Sequence, residues 1–109
     1  MSSLSTHVLD AVGGSPAVGV QVSLYAQHES GWQTTGSGTT DGDGRVASLA
    51  DGLASGTYRL VFATGDYFAR AGTEAFYPEV VVSFVIEDER HYHVPLLLSP
   101  FAYSTYRGS

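Results

Sequence analysis

His91-Tyr92-His93-Val94-Pro95-Leu96-Leu97-Leu98 has the alternation of a β-strand. Successive side chains on a strand point to opposite faces. Tyr92, Val94, Leu96 and Leu98 then form a continuous apolar face that belongs in a core, and His91, His93, Pro95 and Leu97 point away from it. Ser99-Pro100 turns the chain into a last strand over 102–107, in which Tyr103, Thr105 and Arg107 share one face and Ser104, Tyr106 and Gly108 the other. Chain termini are usually polar and frayed. The end Tyr103-Ser104-Thr105-Tyr106-Arg107-Gly108-Ser109 is rich in aromatic and cationic groups instead, and predicts a terminus tied down inside a site.

Working back from that strand, the same signals recur at short intervals. Strands are expected over 6–11, 18–25, 32–40, 45–49, 56–63 and 79–86. The second is a half-buried strand with Val18, Val20, Val22 and Leu24 on one face. Gly13-Gly14-Ser15-Pro16 and Asp41-Gly42-Asp43-Gly44 are turns. Residues 65–72 break the pattern and predict one or two helical turns, with Asp66 near the positive end. About eight short strands with turn signals every ~8–12 residues predict an all-β antiparallel sandwich or barrel. The 109 residues are enough for a single domain, 1–109.

Composition excludes several functions. The net charge is −6, and all five bases are arginines, so no clustered basic surface exists for nucleic acid or for an anionic membrane. The absence of lysine removes Schiff-base chemistry, and the absence of cysteine removes thiol catalysis, disulfides and cysteine-ligated zinc. No apolar run is long enough to span a membrane. Met1-Ser2-Ser3-Leu4-Ser5 does not have the form of a signal peptide, which makes the cytoplasm the expected compartment.

Parity singles out one surface. If Val8 packs inward with Thr6, then His7 and Leu9 face outward. His7 and His93 thus lie outside the core, among the apolar Leu9, Pro95 and Leu97, a mixture that marks an interface or a binding site. His91 sits nearer the strand end and is expected to be solvated, as is His28 in its polar loop. His91-x-His93 lacks a third ligand, so no resident metal is expected. Asp41, Asp43 and Asp51 lack the terminal glutamate of a calcium loop and are expected to form a turn. No Gly-x-Ser-x-Gly elbow offers a serine nucleophile.

Three ordered motifs resemble a known family: Thr6-His7-Val8-Leu9-Asp10, Asp43-Gly44-Arg45, and 91–100 followed by the terminal Tyr106-Arg107-Gly108-Ser109. Together they look like the transthyretin-related 5-hydroxyisourate hydrolases, over essentially the whole chain. Many relatives carry a cysteine after the arginine, where this chain has Val46. The resemblance implies a transthyretin-like sandwich of two four-stranded antiparallel sheets with one short helix. It also implies a homotetramer, a dimer of dimers, with active sites in a central channel, and no cofactor.

The implied reaction is hydrolysis of 5-hydroxyisourate to 2-oxo-4-hydroxy-4-carboxy-5-ureidoimidazoline in urate (purine) catabolism. Water attacks a ring amide carbonyl, which calls for a base, oxyanion donors and an acid for the leaving nitrogen. The resemblance assigns catalysis to His7, Arg45 and His93. It assigns substrate binding to His7, Arg45, Tyr106, Arg107 and Ser109, although parity turns Arg107 to the core-side face. Histidine exchanges protons near neutral pH, and arginine is a permanent planar cation suited to a urea-like carbonyl. Two alternatives are a transthyretin-like small-molecule carrier without catalysis and a structural or adhesion sandwich module.

Overall fold

The computed structural model describes residues 2–108. Along them run β1 (Ser2–Asp10), β2 (Ser15–Pro16), β3 (Gln21–His28), β4 (Gly31–Thr39), β5 (Arg45–Leu53), β6 (Gly56–Phe62), α1 (Thr64–Arg70), β7 (Val80–Ile86), β8 (His91–Ser99) and β9 (Ala102–Thr105). Each of the expected strands is present, together with the short helix. β3 starts later than the alternation suggested, because Gly19 turns the chain at φ +83° and leaves Val18 exposed. Val20 is still buried, and its N–H donates to Thr40 Oγ1 at 2.9 Å.

The strands form two sheets, β2-β1-β8-β9 with β5 also on β1, and β4-β3-β6-β7. The expected all-β sandwich of two sheets with one short helix is present, and it differs from two four-stranded antiparallel sheets on two points. The first sheet has five strands, since β2 and β5 divide one edge of β1 between them: Leu9 and Asp10 face Pro16 and Ser15, while Ser2 to His7 face Leu53 to Arg45. Its central pair, β1 and β8, is parallel, in register from Ser3↔His91 to Asp10↔Leu98. A parallel pair cannot be joined by a tight turn, and here the whole second sheet and α1 lie between the two strands in sequence.

The core lies between the sheets. Leu4, Val8, Tyr92, Val94, Leu96 and Leu98 come from one, and Val22, Leu24, Tyr58, Leu60, Phe62, Val80 and Ile86 from the other. The apolar face expected of β8 is this core face. α1 adds the buried Phe68, and Tyr67 Oη donates to Asp10 Oδ2 at 2.8 Å, which fixes the helix against the end of β1. Burial, then the bond to Asp10, pushes the Tyr67 hydroxyl up to about 12. Among the described residues no helix is long and apolar enough to cross a membrane.

Candidate active site

Because β1 alternates, Ser3, Ser5 and His7 lie on the face opposite Leu4, Thr6 and Val8. The parallel neighbour places His91 beside Ser3, His93 beside Ser5 and Pro95 beside His7. On the other edge of β1, Arg45 pairs with His7. Three segments distant in sequence thus bring His7, Arg45 and His93 to one patch of outer sheet surface. A cleft of about 240 Å³ opens there, lined by Ser5, Thr6, Arg45, Ala47, His91 and His93.

Arg45 owes its position to the turn before it. The Asp41 carboxylate Oδ1 accepts from the backbone N–H of Asp43 at 2.9 Å and of Arg45 at 3.0 Å. These two bonds hold the Asp41 carboxyl below its ordinary value, the Arg45 amide first. Gly44 closes the turn at φ +76°, and a Cβ there would meet the Val8 carbonyl oxygen at 2.5 Å. Its own carbonyl accepts from the Val8 N–H at 2.7 Å, tying the turn to β1. The turn expected for Asp41 and Asp43 is therefore what positions Arg45. No ion pair of the exposed Arg45 is found among the described residues, and Arg45 lines the cleft.

The same turn orients His7, whose Nε2 donates to the Asp43 carbonyl oxygen at 2.9 Å. A carbonyl only accepts, so the proton of neutral His7 sits on Nε2 and the lone pair on Nδ1. His93 is half-buried, with Nδ1 2.8 Å from Ser5 Oγ. Burial, then the neighbouring His7, His91 and Arg45, lowers its pKa from the ordinary 6.5, against an opposing backbone bond from Ser5. His93 is therefore neutral at pH 7 and free to take a proton.

The chain end is held against His93. β8 and β9 pair from Ser99↔Ala102 to Leu96↔Thr105, and the same register returns at His93↔Gly108, where the Gly108 N–H donates to the His93 carbonyl at 2.9 Å. A Cβ on Gly108 would stand 2.6 Å from His93 Cδ2. Continuation of that register sets Tyr106 on the face of His93, with its ring largely exposed at 60%. Arg107 turns to the other face, its guanidinium carbon 4.6 Å above the Tyr92 ring. Ser109 lies outside the described residues. A second hollow of about 260 Å³ beside Arg107 has an apolar wall of Val82, Phe84, Tyr92 and Val94, and His93 and Tyr106 line it as well. His93 thus borders both hollows, while Arg45 and His91 line only the first.

Ser3, Ser5 and His91 were not singled out as functional from the sequence. His91 is exposed, as expected, but it is not simply solvated: both ring nitrogens contact serine hydroxyls of β1. The period-two spacing of Ser3, Ser5 and His7 hinted at a shared face. Only the pairing of β1 with β8 puts the two serines beside the histidines. Among the described residues no group of three or more potential ligands is placed to hold a metal ion.

Comparison with known proteins agrees with this architecture. A probable 5-hydroxyisourate hydrolase of Caenorhabditis elegans is 51% identical, covering 99% of this chain and 82% of its own. The structure of the Klebsiella pneumoniae 5-hydroxyisourate hydrolase superposes with a TM-score of 0.90 at 43% identity, covering 100% of this chain and 94% of that one. Sea bream transthyretin, solved in complex with thyroxine, gives 0.92 at 34% identity, with 96% and 93% covered. The sequence model of the HIUase/Transthyretin family matches residues 4–108. With the match running through β1, the Arg45 turn and the chain end alike, the chain belongs to the HIUase/Transthyretin family.

Proposed function

We propose that this protein, a single domain over 1–109, hydrolyses 5-hydroxyisourate to 2-oxo-4-hydroxy-4-carboxy-5-ureidoimidazoline in urate catabolism. The observation that carries the proposal is the convergence of His7, Arg45 and His93 on one patch of sheet surface, where Arg45 and His93 line the cleft and His93 is held below its ordinary pKa. In this scheme His7 and His93 hold the attacking water, and one of them takes its proton as the ring carbonyl is attacked. Arg45 receives the developing oxyanion with its planar donors. Tyr106 shapes the pocket and bonds the substrate, and the Ser109 carboxylate closes it, while Arg107, turned to the other face over Tyr92, acts only by anchoring the chain end.

The test follows the ultraviolet absorbance of 5-hydroxyisourate made in place from urate and urate oxidase. Faster decay with this protein, lost in His93→Ala, supports the proposal. An unchanged decay rate from folded protein overturns it. The likeness to a thyroxine-bound transthyretin favours a second function, carriage of a small molecule without turnover. The histidine–arginine cluster counts against it, because a carrier has no use for a base beside an oxyanion donor. We further propose a dimer of dimers in the cytoplasm. The exposed edge strand β9 and the exposed Val12, Val18, Phe101 and Tyr103 support the assembly. Sedimentation as a stable monomer would overturn it, and cell fractionation tests the location.

A further inference from the structure

Ser5 is 8% exposed, and its one hydroxyl meets two imidazoles. Ser5 Oγ is 2.8 Å from His93 Nδ1 and 2.7 Å from His91 Nε2, and His91 Nδ1 is 2.6 Å from Ser3 Oγ. The contacts make an unbroken line from half-buried His93 to exposed His91 and the outer end of β1. A hydroxyl carries one hydrogen and a neutral imidazole one N–H. With both rings neutral and every bond in the line made, only two arrangements exist. In the first, His93 Nδ1–H donates to Ser5, Ser5 donates to His91 Nε2, and His91 Nδ1–H donates to Ser3. In the second every donor and acceptor is exchanged. The first leaves a lone pair on His93 Nε2, and the second leaves an N–H there.

We propose that Ser5 and His91 are positioning residues for the hydrolysis, holding His93 as its Nδ1–H tautomer and relaying the proton it takes from water out to solvent. The proposal rests on the hydrolase function above. It accounts for a buried serine whose hydroxyl is shared between two histidines.

The proton balance closes. An O–H bond of the attacking water breaks as His93 Nε2–H forms. The Nδ1 proton of His93 passes to Ser5 Oγ, the Ser5 proton to His91 Nε2, the His91 Nδ1 proton to Ser3 Oγ, and the Ser3 proton to solvent. The line has then moved from the first arrangement to the second, and His93 presents Nε2–H as the acid for the leaving ring nitrogen. As His93 Nε2 gives that proton to the leaving nitrogen, Ser3 takes a proton from solvent, the Ser3 proton passes to His91 Nδ1, the His91 Nε2 proton to Ser5 Oγ and the Ser5 proton to His93 Nδ1, which returns the line to its start. One histidine thereby serves as base and then acid. The titratable and charged groups facing His93 are His7 on β1, Arg45 on β5 and His91 on its own strand, and each disfavours a lasting imidazolium. The Ser5 backbone bond acts in the opposite sense, as a carbonyl acceptor does, and favours a proton on the ring edge turned toward Ser5.

The experiment compares wild type with Ser5→Ala, Ser5→Thr and His91→Gln. It reads the hydrolysis rate across the neutral pH range, and the nitrogen chemical shifts of the His93 imidazole. Ser5→Ala is expected to lower kcat by at least ~10-fold with KM little changed, to displace the acid limb of the pH profile, and to move His93 toward the Nε2–H tautomer. Ser5→Thr keeps the hydroxyl and should recover most of kcat. His91→Gln, at an exposed position, should reproduce the altered pH profile without unfolding the chain. Wild-type kcat and pH profile in Ser5→Ala would overturn the relay, as would equal losses in Ser5→Ala and Ser5→Thr with the His93 tautomer unchanged. A wild type that fails to accelerate substrate decay would instead refute the hydrolase function.

Discussion

Gly108→Ala is expected to damage catalysis far more than stability. The added Cβ would stand 2.6 Å from His93 Cδ2 and 3.3 Å from both His93 Cγ and the His93 carbonyl oxygen. Non-bonded carbons rest at about 3.5–4.0 Å, so either the imidazole or the chain end must move by roughly 1 Å. Among the described residues Gly108 holds one backbone bond to β8, its N–H to the His93 carbonyl at 2.9 Å. Loss of such a bond near a chain end costs about 0.5–1.5 kcal/mol of stability. A shift of about 1 Å in a catalytic group, by contrast, costs on the order of 10²-fold in rate, or about 2.7 kcal/mol in the barrier. The assay pairs the ultraviolet decay of 5-hydroxyisourate with urea unfolding of the same variant. Kcat/KM within twofold of wild type would refute the reasoning, because the chain end would then have moved aside without disturbing His93. A fall in rate matched by gross unfolding would refute it equally.

His7→Ala, Arg45→Lys and His93→Ala should each lower kcat/KM by at least ~10²-fold in the decay assay, since each removes an acid–base group or an oxyanion donor. Gly44→Ala forces a left-handed φ of +76° onto a side chain aimed at the Val8 carbonyl. It should cost about 2–4 kcal/mol by urea unfolding, with Arg45 displaced as well. The depressed pKa of His93 also makes stability pH-dependent. Between the folded value and the unfolded value near 6.5 the unfolded chain binds more protons, so stability falls as the pH drops below 6.5 and is fully present above it. His93→Gln should flatten that part of the stability curve, and an unchanged slope would count against a half-buried, neutral His93.

Alternation alone was enough to place the core face of β8. Tyr92, Val94, Leu96 and Leu98 are buried as a group, and His93 lies on the reverse face with Tyr106. The turn at 41–44 and the helix near 64–70 were legible for the same reason: turn chemistry and breaks in periodicity are local, and depend on neighbours a few residues apart. That Arg107 turns away from the histidines also followed from parity, and its position over Tyr92 agrees. The motif resemblance supplied His7, Arg45 and His93 as a set, which no local rule could have assembled from three separate strands.

Strand pairing across long sequence separations was decided only by the tertiary structure. Nothing within β1 or β8 states that they lie parallel, 88 residues apart at Ser3↔His91 and Ser5↔His93, or that β2 and β5 share the opposite edge. That pairing converts two ordinary serines and an exposed histidine into a hydrogen-bonded line ending at His93. Side-chain period is a property of one strand, and the sequence carries it. Register between strands depends on which of many apolar faces pack together in the folded core, so the neighbours of His93 became visible only when both sheets were in place.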